Sequence, residues 1–237
     1  MIYAGSGSPM NKGIGLAITE PLAEGPLAAV EEDWRDRREP LRVELSALAR
    51  PEAATTLTVR GYRLIGFENQ LGCELRNWNE AGSGLRTPGS GEIIVERLAD
   101  CDEKLWRDVT VDGFAHPDAS PRAHEIFPRE VLDEVFATLG RTSGFRRYVA
   151  RVDDQVAGAA SMRIDGDIAQ LAGAATLPAF RRRGVQTALL RHRLQDARDA
   201  GCALAVVTTQ PGSTSQANAQ RRGFALLYTR AILVRSW

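Results

Sequence analysis

The chain has 237 residues, 43% apolar and 25% charged, a composition that suits a folded protein with a sizeable core. Lys plus Arg and Asp plus Glu both total 30, so no overall field favours nucleic acid or an anionic membrane. No apolar run approaches the ~20 residues of a membrane helix, and the start MIYAGSGSPMNKG lacks the basic-then-apolar pattern of a secretory signal.

In chain order, GSGSPM is only a partial GxGxxG with no complete strand before it. GIGLAI is a short apolar element, PLAAVEEDWRDRREP a helix and RVELSAL a strand. RNWNEAGSGLRTPGSGE, residues 76–92, is rich in Gly, Ser and Pro without apolar period, which is a linker composition. It divides the chain into a unit at 1–75 and a larger one at 93–237. The larger unit begins with the strand EIIVERL. Two helices follow, DEKLWRDVTVDGFAH with Leu105, Val109 and Val111 or Phe114 inward, and PREVLDEVFATLG between Pro128 and Gly140. Three strands come next, RRYVARVDD, QVAGAASMRI and DIAQLAGAATL. A loop then leads to the helix VQTALLRHRLQDARDAG, whose Thr187, Leu190, Leu194 and Ala197 share a face, with Gly201 as its C-cap. ALAVVTT is a buried strand, STSQANAQRR a short helix, and FALLYTRAILVRSW a long strand or bent strand pair. The order βααβββαβαβ predicts an α/β fold with a mixed central sheet flanked by helices, and a smaller α/β half-domain before it.

The chain also resembles itself. Leu41–Tyr62 lies over Ala203–Phe224 without a gap at an offset of 162, both ending Arg-Gly-aromatic. Before that, PLAAVEEDWRDRREP lies over ALLRHRLQDARDAGC, helix on helix. The first unit thus reads as a partial second copy of the back half of the larger one.

Chemistry concentrates in TLPAFRRRGVQTALL. A helix start leaves four backbone N–H groups unpaired and carries about half a positive charge. Gly184 permits close backbone approach or a positive φ. From Arg181 to Arg193 stand five arginines, Arg181, Arg182, Arg183, Arg191 and Arg193, and no acid. The run is either a solvated helix start or the mouth of an anion site. There is no GxxxxGK[ST], so an ATPase cradle is not supported. Cys73, Cys101 and Cys202 form no CxxC and no metal pattern with His116, His124 or His192. This predicts no disulfide framework, no metal, and a reducing, cytoplasmic setting.

The larger unit resembles the GCN5-related N-acetyltransferase (GNAT) family, whose pattern is Q/R-x-x-G-x-G/A after a strand often ending V-x-P. Thr176-Leu177-Pro178 stands at that strand end, and Arg181-Arg182-Arg183-Gly184-Val185-Gln186 follows at the family spacing, with Gln186 in place of the last G/A. RRGF before the last strand resembles the family's glycine-aromatic turn. The resemblance implies acetyl-CoA as cosubstrate and transfer of its acetyl group to an amine, on a small molecule or a peptide. It places the diphosphate at the N–H groups of Arg182, Arg183, Gly184, Val185, Gln186 and Thr187. It places the pantetheine arm along Ala174, Ala175 and Thr176, where two parallel strands, LAGAATL and ALAVVTT, splay apart. The small residues Ala172–Ala175 serve either that approach or a helix packed above them. Asn218 either touches the arm or caps a helix.

Catalytic groups depart from the family. Its acidic tyrosine position is Ala219, and the strand before the loop, where the family often carries a glutamate base, has Gln170 and no Glu. Tyr228 points into the cleft or into the core. His116 and His124 touch substrate or line a surface loop, and His192 falls on the wet side of its helix. Asp165 and Asp167 flank a turn glycine and fit turn chemistry. In the first unit, AITEPLAEGPLAAV puts Glu20 and Glu24 where arginines would be needed, so this half is not expected to bind CoA. A non-catalytic CoA-binding or scaffold protein with the same fold is the alternative. Neither reading sets an oligomeric state.

Overall fold

The computed structural model describes residues 1–78, 92–116 and 127–237, so His124 and residues 79–91 of the expected linker lie outside the described residues. Two compact units form, Met1–Gln70 with Leu226–Trp237, and Leu71–Ala225. The contiguous division expected at 75 and 93 is therefore not how the contacts divide. The physical reason is the last strand, which belongs with the N-terminal residues.

In the first unit, β1 (Lys12–Ile14) runs parallel to β2 (Leu41–Ser46), and β2 pairs antiparallel with β9 (Ala225–Arg235), from Leu41↔Arg235 to Ser46↔Arg230. β9 is one continuous strand. Helices α1 (Glu24–Asp36) and α2 (Pro51–Val59) bury Leu27, Trp34 and Leu57 against Leu41, Val43 and Leu233. Glu31 on α1 is buried. Burial pushes its carboxyl up, but hydrogen bonds from Arg60 and Arg235 outweigh this and hold it below the ordinary value. The strand β3 (Arg63–Glu74) starts in this unit and ends in the other.

In the second unit, β4 (Ile93–Leu98), β5 (Phe145–Val152), β6 (Gln155–Asp165) and β7 (Ile168–Thr176) pair antiparallel in sequence, and β7 pairs parallel with β8 (Leu204–Thr209). On one side of this sheet, α3 (Glu103–Ala115) and α4 (Arg129–Gly140) pack Trp106, Val109 and Phe136 on Ala159. Phe114 is exposed, so the inward stripe of α3 is Trp106, Val109, Thr110 and Val111. On the other side, α5 (Val185–Asp199) and α6 (Thr214–Gln220) pack Leu189, Leu194 and Ala219 on Tyr148, Met162, Leu171 and Ala205. Element boundaries repeat within a residue of the offset 162: α1 lies over α5, β2 over β8, α2 over α6 and β3 over β9. Gly61 and Gly223, 162 apart, both turn the chain with positive φ, +86° and +91°.

The register of β6 on β7 changes once. Ala159 faces Ala175 and Ser161 faces Ala172, so β7 carries one extra residue there. Gly173, at φ +56°, takes the left-handed turn this bulge requires. A few residues earlier on β6, a Cβ on Gly158 would meet Ala175 O at 2.6 Å and Val185 Cγ1 at 2.9 Å. Only glycine lets β6, β7 and the start of α5 come this close. Gly158→Ala is expected to destabilise the fold by about 1–3 kcal/mol through overpacking, measured by urea unfolding.

Candidate functional site

The parallel ladder between β7 and β8 ends at Leu171↔Val207. Both strands continue, β7 by five residues to Thr176 and β8 by two to Thr209. The bulge turns β7 away at this point. Side-chain donors hold the carbonyls around it: Trp106 Nε1 donates to Ala160 O at 3.0 Å, Ser161 Oγ to Ala172 O at 3.0 Å, and Arg193 Nη1 to Ser161 O at 2.9 Å and Ala172 O at 3.3 Å. Buried carbonyls left without donors would be costly, so these contacts fix where the strands part.

From Thr176 the chain passes through a single 3-10 turn, Pro178–Phe180, into α5. Gly184 is the N-cap of α5, left-handed at φ +87°, and offers no side chain to cap the helix. Ala188 N–H is the first to reach a helical carbonyl, Gly184 O, at 3.0 Å. The N–H groups of Val185, Gln186 and Thr187 therefore precede the helical ladder, at its positive end. Arg182 is also left-handed, at φ +61°, which for a residue with a side chain is strained by about 1–3 kcal/mol.

The arginines divide by role. Arg181 ties the loop to the protein, donating to Thr176 O at 3.4 Å and to His116 O at the end of α3. Arg183 pairs with Asp153 at 3.3 Å and lies over the Phe180 ring. Arg182 is exposed and makes no ion pair among the described residues. Arg193 is a correction to the sequence reading, which counted it with the anion-facing group. It is 3% exposed, has only carbonyls at bonding distance, and burial lowers its guanidinium to about 10. Arg191, Arg221 and Arg222 lie near one another; burial first, then the repulsion of Arg191 and Arg221, lowers the Arg222 guanidinium.

Other expected residues fall as follows. Ala175 packs under α3, where a Cβ on Gly113 would meet its Cβ at 2.4 Å, so the small residues of this strand do serve a helix above them. Val185 is in the core and offers its backbone alone. Asn218 receives a hydrogen bond from Arg221 one turn on. Tyr228 belongs to the first unit, whereas the loop belongs to the second. His192 is not on a wet face. It stacks edge-on against Tyr148 at 5.6 Å, and burial lowers its pKa. The Tyr148 hydroxyl donates to Asp196, which also takes Arg146 at 2.7 Å; burial, then the Asp196 bond, raises the Tyr148 pKa. His116 is exposed, with Nδ1 2.9 Å from Asp112 O. Asp165 pairs with Arg163 beside Gly166, which has φ +58°, as a turn residue does.

Two features escaped sequence reading. One is the burial of Arg193, although its place beside Leu189, Leu194 and Ala197 on the inward stripe was a signal. The other is a pair of buried hydroxyls, Thr176 and Thr209, on the two strand ends. A shallow hollow of about 270 Å³ lined by Leu75, Asp167, Arg198 and Cys202 lies at the opposite strand ends and is separate from this arrangement. Arg193→Met is expected to remove the side-chain donor of Ser161 O, while Ala172 O keeps Ser161 Oγ, and to destabilise the fold by about 1–3 kcal/mol, read from denaturant midpoints.

Residues 107–224 match the model of the acetyltransferase (GNAT) family. No curated protein shows significant similarity to the chain. Among solved structures, a GCN5-related N-acetyltransferase from Kribbella flavida is 20% identical with a TM-score of 0.62, covering 88% of this chain and 73% of that one. One from Sphaerobacter thermophilus is 14% identical with a TM-score of 0.65, covering 90% and 67%. A tandem GNAT protein of the clavulanic acid biosynthesis pathway is 16% identical with a TM-score of 0.62, covering 90% and 69%. At these identities the likeness is one of fold. Among the described residues no helix is long and apolar enough to cross a membrane.

Proposed function

Because residues 107–224 belong to the acetyltransferase (GNAT) family, we propose that this chain binds acetyl-CoA at the loop from Thr176 to Thr187 and transfers its acetyl group to an amine. The observation that supports this most is the pairing of two features in one place. The β7–β8 ladder ends at Leu171↔Val207, and the uncapped start of α5 follows at the end of the same strand. The N–H groups of Val185, Gln186 and Thr187 would hold the diphosphate, with Arg182 adding charge. The backbone of Ala174, Ala175 and Thr176 would take the pantetheine arm. Bound acetyl-CoA supplies an activated thioester. Backbone N–H groups beside the bulge are suited to steadying the charge that develops on the thioester oxygen.

The acceptor amine, with pKa near ~10, must lose a proton to react. The strand before the loop has Gln170 and no glutamate, and Ala219, buried, stands at the family's tyrosine place. Neither side chain can take the amine's proton or supply one to the leaving thiolate, and transfer by this chain would run both protons through water, a route that favours acceptors of lower pKa. The buried Ala219 also favours a second reading, a CoA-binding protein without turnover. The offset that relates the elements of the two halves supports reading the first half as a partial copy of the second. In that half Glu24 stands in the first turn of α1, which disfavours an anion there.

Thiol release from acetyl-CoA with a panel of small and peptide amines separates the two readings: turnover supports transfer, and binding without turnover supports the second. For the loop itself, Gly184→Val and Arg182→Glu are each expected to weaken CoA binding at least tenfold by calorimetry, about 1.4 kcal/mol. CoA binding by the parent protein should weaken as salt is raised. Unchanged affinity in both variants would remove the loop from the site.

A further inference from the structure

At the ends of β7 and β8, the second unit holds two buried hydroxyls with no hydrogen-bond partner, Thr176 Oγ1 and Thr209 Oγ1. The residues are 8% and 4% exposed. Among the described residues of this unit they are the only hydroxyls in that condition. Each is the last residue of its strand, and those strands are the two that part beyond Leu171↔Val207. Side chains alternate along a strand. Ala205 is buried in the core beneath α5 and Val207 packs against it, so Thr209 falls on the same side. Ala174, past the bulge, packs against that core too, so Thr176 shares the side as well. A polar group taken from water and given no partner is unfavourable, and native structures seldom keep one without a use.

The positions suggest what satisfies them. Thr209 lies two residues beyond the last paired rung and Thr176 five beyond it, counting the bulge residue. At roughly 3.3 Å per residue the two hydroxyls sit at different depths along the gap. A compact anion would need them side by side. An extended polar chain passing between the strands would meet them in turn, and a hydroxyl can donate to a carbonyl or accept from an N–H.

We infer that Thr176 and Thr209 hydrogen-bond the amide groups of the pantetheine arm of CoA, and that their unpaired state in the free protein is resolved when the arm enters. This rests on the assignment of CoA to the loop. The two side chains position the arm, whereas the loop binds the phosphate end. The adenosine part of the ligand does not reach them.

The test compares Thr176→Val, Thr209→Val and the double variant in the full chain. Two ligands are used, CoA and 3′-phospho-ADP, which keeps the phosphates and lacks the arm. Each valine is expected to raise the thermal midpoint of the free protein by about 2 °C, since a buried unpaired hydroxyl is gone. Each is expected to weaken CoA binding about tenfold in calorimetry and to leave 3′-phospho-ADP binding within twofold. Thr176→Ser and Thr209→Ser should keep CoA affinity within a few-fold. Unchanged CoA affinity in the valine variants overturns the inference. Equal loss for both ligands overturns it too, because the change would then lie in the loop. If the parent chain binds neither ligand, the CoA assignment itself fails, and this inference with it.

Discussion

Where the parallel ladder of β7 and β8 stops decides the rest of the second unit. Past Leu171 and Val207 the two strands keep going without each other. Beyond that rung neither strand is the other's hydrogen-bond partner. Unsatisfied backbone is unfavourable; here one extra residue in β7 redirects the strand, and Trp106, Ser161 and Arg193 occupy the carbonyls around the change of register. The end of the ladder is therefore a built feature of the core on both sides of the sheet. Donors reach it from α3 on one side and from α5 on the other.

The loop after β7 then acts as a hinge of fixed shape. Two left-handed residues, Arg182 and Gly184, direct the chain into α5 so that its first amides face outward. Arg181 and Arg183 are held by the protein itself, through His116 O, Thr176 O and Asp153. The arginine run is thus neither a plain solvated face nor a uniform cluster of ligands. Two members shape the loop and one is displayed. Strain at a displayed arginine is a common accompaniment of binding sites.

Much of this was legible in the sequence. Turn glycines, helix caps and alternating apolar residues located nearly every element of the second unit, and the place where β7 and β8 part fell within the two strands expected to diverge. What was not legible depends on contacts between distant segments. Arg193 looks charged and exposed in a string of arginines, and only the carbonyls of Ser161 and Ala172 explain its burial. His192 looks like helix surface until Tyr148, 44 residues earlier in the chain, is found against it. Tyr228 follows the loop region in sequence, yet its strand joins β2 and the N-terminal unit. Thr176 and Thr209 read as ordinary strand residues, since nothing in a sequence says that a hydroxyl will be buried unpaired.

The proposed site depends most on the first three amides of α5 anchoring a diphosphate. Amide hydrogen exchange, resolved residue by residue for Val185, Gln186 and Thr187, reads this directly. All three should exchange rapidly in the free protein and slow together when CoA is added at saturation, while the exposed Gly166 turn stays unchanged. Equal exchange at these amides with and without bound CoA would contradict it.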